Sequence, residues 1–107
     1  MKVLIKKPFG QWHTEEYEDI SEIHKKVFDG LITKMYAYED DLIIMCLPER
    51  GVLTNEFYNT KHKDKNNMFF GNVAMINMPS DMSGFAEENY SVPDEIIEKF
   101  EGTTEEL

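Results

Sequence analysis

Arg50, Asn55 and Tyr58 fall close together in the stretch LPERGVLTNEFYN, and Lys61 follows. A guanidinium pairs two oxygens of a phosphate or carboxylate at once, and a lysine adds a point charge. Asparagine and tyrosine read polar edges of a ligand. Asn72 and Asn77, on the next apolar stretch, complete a candidate small-ligand set of Arg50, Asn55, Tyr58, Lys61, Asn72 and Asn77. A phosphate-bearing molecule such as a small nucleotide would suit it. The same stretch has a plainer reading. Asn55 caps one helical turn, Asn59 ends it, and Leu53 and Phe57 face inward. On balance the segment reads as a chain reversal first and a pocket wall second.

Other chemistry finds little footing. Cys46 and a histidine would make a nucleophile and base, but Cys46 sits inside LIIMCL, where a small buried hydrophobe is expected. His13, His24 and His62 are isolated from one another, and no His-x-x-x-His or Cys-x-x-Cys spacing occurs. No zinc site is expected. The acidic pairs Glu15–Glu16, Asp40–Asp41, Glu87–Glu88 and Glu105–Glu106 lack the apolar setting that raises a carboxyl pKa for acid–base work. There is no alternating calcium loop and no glycine-rich phosphate loop. The expectation is a protein without cofactor or metal that is not an enzyme.

Charge points elsewhere. The chain of 107 residues carries 21 acids against 11 bases, a net −10. From Asp81 to Leu107 there are nine acids and one lysine. This concentrated anion argues against binding a nucleic-acid backbone, which needs clustered cations to displace counterions. It suits docking on a basic protein face, with Glu87, Glu88, Glu95 and Glu98 as the candidate docking surface. A single cysteine permits no internal disulfide and fits a reducing cytoplasm. The opening MKVLIKKPFG turns charged too soon for a signal peptide. No apolar run approaches the roughly 18 residues of a membrane span.

These residues need a scaffold, and most of it is readable. MKVLIKK is a buried strand stopped by Pro8, and QWHTEEYED alternates as an edge strand beside it. DISEIHKKVFDG is a helix, with Asp19 and Glu22 at capping-box spacing, Ile20, Ile23 and Val27 on one face, and Gly30 as its stop. LITKMYAY and LIIMCL form an antiparallel hairpin across an acidic turn. TKHKDKNN reads as a mobile polar loop, and MFFGNVAMINM as one strand with a bulge or close approach at Gly71. Most methionines should fill core. SDMSGFAEENYS is loop. SVPDEIIEKFEG is a second helix, with Ser91 as cap and Gly102 as stop. The fold expected is a small α+β domain over residues 1–102: a mostly antiparallel sheet of about five strands, with two helices packed on one side. Residues 103–107 should fray. Exposed sheet edges leave room for a homo-oligomer.

With this order in place, the chain resembles a family catalogued as domain of unknown function 3846, found in phages, plasmids and conjugative elements of Gram-positive bacteria. The resemblance runs through MKVLIKKP, IHKKVFDGLITKMYAY, DDLIIMCLPERGVLTNEFYN and FFGNVAMIN to the last helix. Its fixed points here are Pro8, Gly30, LIIMCL, the segment Leu53 to Tyr58 with Asn55, and Gly71. Glu56 stands where an arginine often follows the asparagine, and the TKHKDKNN insert is longer than usual. The resemblance implies a mobile-element setting in a host cytoplasm, with accessory or counter-defence work. Together with the charge, it gives the leading expectation: a host protein, such as a defence component, bound through an acidic surface. The alternatives are sequestration of a small nucleotide immune signal and, more weakly, an enzyme acting on such a signal.

Overall fold

The computed structural model describes residues 1–39, 41–48, 57–63, 67–78 and 91–107. Its elements run β1 (Lys2–Lys6), β2 (His13–Glu16), α1 (Ile20–Phe28), β3 (Lys34–Ala37), β4 (Leu42–Cys46), β5 (Tyr58–Lys61), β6 (Met68–Phe70), β7 (Val73–Asn77) and α2 (Asp94–Phe100). Five strands form an antiparallel sheet in the order β2-β1-β7-β4-β3, and β5 pairs with β6 in a separate two-stranded sheet. This is the α+β class expected. The hairpins β1–β2 and β3–β4 are local, and β7 enters between them late in the chain to join the two halves.

Alternation along the three inner strands sets the layers. Val3, Ile5, Met45, Ala74 and Ile76 form one buried cluster with Ile23, Val27 and Phe28 of α1. Leu4, Ile44, Cys46, Val73 and Met75 point the other way, into a cluster with Trp12, Phe69, Val92, Phe100 of α2 and Leu107. The two helices therefore contribute to opposite faces of the sheet, not to one side as expected. The reason lies in β1, β4 and β7. Strands apolar on both faces need a cover on both, and each buried Val, Ile or Leu side chain contributes about 1.5–3 kcal/mol only if covered.

α1 forms where its caps say it should. Asp19 is extended, and its Oδ1 accepts from Glu22 N at 2.8 Å. Glu22 returns to the N–H of Glu18 at 3.0 Å, one residue further back than a standard capping box. The helix leaves through two left-handed residues, Asp29 and Gly30.

Three further expectations are corrected. First, MFFGNVAMINM is two strands. Gly71 takes φ +79, which glycine adopts without strain, and breaks the run between β6 and β7. β6 then folds back on β5, so Tyr58 and Asn59 are strand rather than helical turn, and Phe57 is exposed rather than inward. Leu53 and Asn55 lie outside the described residues. His62, placed in a mobile loop, is buried, and its ring stands edge-on to Tyr38. Second, residues 103–107 are tied down. Trp12 N donates to Thr103 O at 2.8 Å, Trp12 Nε1 to Glu105 O at 2.8 Å, and Lys63 N to Leu107 O at 2.9 Å. Leu107 is a core residue. The segment is a strap over Trp12, which packs edge-on against Phe100. Third, Ser91 does not cap α2. Its Oγ accepts from Lys2 N at 2.9 Å, binding the entry of the helix to the first strand. Met45 and Met75 fill core as expected, whereas Met35 and Met68 are exposed.

Candidate docking surface

The candidate small-ligand set does not converge among the described residues. Arg50 and Asn55 lie outside them. Asn72 immediately precedes β7 and Asn77 ends it, and they differ in strand parity, so they face opposite sides of the sheet. Asn72 Nδ2 donates to Val27 O at 2.9 Å and ties β7 to the end of α1. Tyr58 and Lys61 stand on β5, opposite Phe70 and Met68. Tyr58 donates its hydroxyl to Glu106 at 2.9 Å. Partial burial and that carboxylate push its phenol pKa up.

Asn59 has a role that the sequence did not announce. Lys6 is buried at the end of β1, and its Nζ donates to Asn59 Oδ1 at 2.9 Å and to Asn59 O at 3.1 Å. Asn59 Nδ2 in turn donates to Lys6 O at 2.6 Å and Gly71 O at 2.7 Å. Gly71 N closes the ring by donating to Phe57 O at 2.8 Å. This network clips the β5–β6 hairpin onto the main sheet. Burial lowers the Lys6 pKa, and the nearby Glu106 partly offsets that. Lys6 has the same parity as Leu4 and so faces the α2 side. That parity was the one available signal.

The acidic surface is built by α2 and the strap. Ile96, Ile97 and Phe100 turn toward the core, which leaves Asp94, Glu95, Glu98 and Glu101 exposed. Glu95 and Glu98 are thus on solvent as expected, while Glu87 and Glu88 lie outside the described residues. The strap adds exposed Glu105, 3.6 Å from Lys63 Nζ, and half-buried Glu106. An open groove of about 500 Å³ runs along it, lined by Gln11, Lys63 and residues 102–106.

A row on the first edge strand was not foreseen as a unit. Glu15 accepts from the Tyr17 hydroxyl and pairs with His13 Nε2 at 2.9 Å. The tyrosine hydrogen bond, helped by His13, holds the Glu15 pKa below the usual carboxylate range. Glu15 is an ionised acceptor, the wrong state for a general acid near neutrality. Burial and then Glu15 push the Tyr17 phenol up. Cys46 is buried as expected, and burial pushes its thiol up to about 12. Among the described residues no group of three or more His, Cys, Asp or Glu side chains is placed to hold a metal, and no helix is long and apolar enough to cross a membrane.

No protein-family model matches the chain, and neither a curated protein nor a solved structure aligns with it.

Proposed function

We propose that this protein works by binding rather than by catalysis, and that its acidic α2 side docks on a basic face of a partner protein. The observation that carries the reading is the outer face of α2. Asp94, Glu95 and Glu98 are exposed on a helix whose inner face is anchored in the core, with Lys99 as the one exposed cation of the helix, and Glu101 follows at its end, where it accepts from the Thr14 hydroxyl. Clustered carboxylates on a rigid support attract a cationic surface, steer its approach and repel nucleic acid. The sequence resemblance supplies the setting: an accessory protein of a phage or mobile element in the host cytoplasm, with a host defence component as the partner. The test is capture from a host lysate. Immobilised protein should retain a basic protein at low salt and release it as salt rises, since surface charges are screened over about 8–10 Å at physiological ionic strength. Glu95→Gln with Glu98→Gln should weaken capture without changing thermal stability. A retained nucleotide, released intact on denaturation, with no retained protein would reject the reading. So would turnover of a nucleotide signal.

A further inference from the structure

The five-stranded sheet ends in β2 on one side and β3 on the other, and the two edges are finished differently. Tyr17 N donates to Met1 O at 3.0 Å, so the register of β1 with β2 turns the backbone of Trp12, Thr14 and Glu16 outward. That edge is guarded. Trp12 N donates to Thr103 O, and Trp12 O accepts from Gly102 N, each at 2.8 Å. The Thr14 hydroxyl donates to Glu101, and Glu15 and Glu16 put charge along the rest.

On β3, Tyr38 N donates to Leu42 O at 2.9 Å, which makes Tyr36–Ile44 and Lys34–Cys46 the hydrogen-bonded pairs of the ladder with β4. Met35 and Ala37 therefore turn both their N–H and their C=O to the outer side, where neither has a partner among the described residues. Both residues are exposed, and no proline or bulge interrupts the strand. Such an edge takes one kind of ligand, an extended chain hydrogen-bonded in register.

The strand is complementary to itself in three ways. An antiparallel two-fold pairing centred on Tyr36 sets Met35 opposite Ala37 of the other copy, and the outward groups of both strands are then used in four hydrogen bonds. The sizes match on the α1 side, where the long Met35 side chain meets the small Ala37. The charges match as well. Lys34 opens the strand and Glu39 lies just past its end, both exposed and neither in an ion pair among the described residues. Antiparallel pairing brings each Lys34 beside the other copy's Glu39, whereas parallel pairing sets like on like.

We infer that two copies of this chain pair through β3, antiparallel about a two-fold axis at Tyr36, and join their sheets into one. Residues opposite each other in a ladder point to the same face, so both α2 helices then lie on one side of the joined sheet. The dimer presents the acidic side twice, and the pairing is independent of what that side binds.

The test is sedimentation of the native chain at physiological salt up to about 0.2 mM, which should show a concentration-dependent dimer and nothing larger. Hydrogen exchange of the Met35 and Ala37 amides should slow as concentration rises. Ala37→Pro removes an outward donor from each copy but no bond to β4, and proline is tolerated on the open side of an edge strand. It should raise the dimer dissociation constant about tenfold or more, with little change in the melting temperature of the dilute protein. Lys34→Glu and Glu39→Lys should each weaken self-pairing severalfold, and mixing the two variants should restore it, since each then meets opposite charge in the other. A native chain that stays monomeric throughout would overturn the inference. Protection of the two amides only when another protein is added would overturn the second copy as occupant. Full dimerisation of Ala37→Pro, or a mixture that pairs no better than either charge variant alone, would overturn β3 as the contact.

Discussion

Cys46 and Lys6 show how burial gives a residue its role. The Cys46 thiol has one weak contact, to Lys34 O at 3.8 Å, and lies in the core of the α2 face. Cys46→Ser should cost roughly 1–3 kcal/mol by denaturant unfolding, since a hydroxyl there has no good acceptor. The thiol should react with a disulfide reagent only as fast as the chain opens. Its folded pKa, raised from about 9 to about 12, also gives a pH signature. The folded state keeps the proton that the unfolded state loses, so this group's stabilisation is full below pH about 9 and is lost as pH rises through about 12. Cys46→Ala should therefore lose less stability than the native chain over that window. Lys6 is the opposite case, a buried cation kept by Asn59. Lys6→Met removes the charge but strands the Asn59 acceptors, and should destabilise by about 1–3 kcal/mol. A thermal scan showing no loss would mean that the Lys6–Asn59 clip does not hold the hairpin.

The elements differ in how far local sequence specified them. α1 was legible to its caps because its signals are local: Asp19 with Glu22, an apolar face, and a glycine stop. Asp19→Ala should cost about 0.5–2 kcal/mol. The hairpins of the main sheet were legible from alternation and turn chemistry. The β5–β6 hairpin was not, because YNTK and MFF are short, polar in part, and separated by a charged insert. What makes them strands is nonlocal: Lys6 bonded to Asn59, and Phe69 seated on Tyr36. The strap was misread for the same reason. TTEEL looks like a solvated end, yet Leu107 fills a place in the core and Glu105 O takes the Trp12 indole. Deleting residues 103–107 should lower stability by about 2–4 kcal/mol, from one buried leucine and the hydrogen bonds that Trp12 and Lys63 donate to the strap, and should red-shift Trp12 fluorescence as water reaches the ring. An unchanged melting temperature and emission maximum would show the strap to be an appendage. Of the candidate site, the exposure of Glu95 and Glu98 was legible from the helix period. The contact between the exposed rings of Phe9 and Phe57 was not, because nothing local marks them as neighbours.

At the scale of the whole molecule, the sheet divides two kinds of surface. One face is closed by α1. The other carries α2, the hairpin and the strap, and with them the exposed carboxylates of α2. The central claim is that this second side binds a basic protein, rather than a nucleotide held by Arg50, Asn55 and Tyr58. One measurement separates the two: association kinetics of two variant sets against both ligand classes. The first set neutralises Glu87, Glu88, Glu95 and Glu98 to glutamine, and the second changes Arg50 and Asn55 to alanine. The ligands are the basic protein captured from host lysate and a panel of cyclic and ADP-ribose-type nucleotides. The account predicts a slower on-rate for the first set alone, a difference that shrinks as salt shortens the reach of charge, and no nucleotide binding by the native chain. Loss of binding confined to the Arg50 and Asn55 set, or tight binding of a nucleotide with no protein bound, would contradict it.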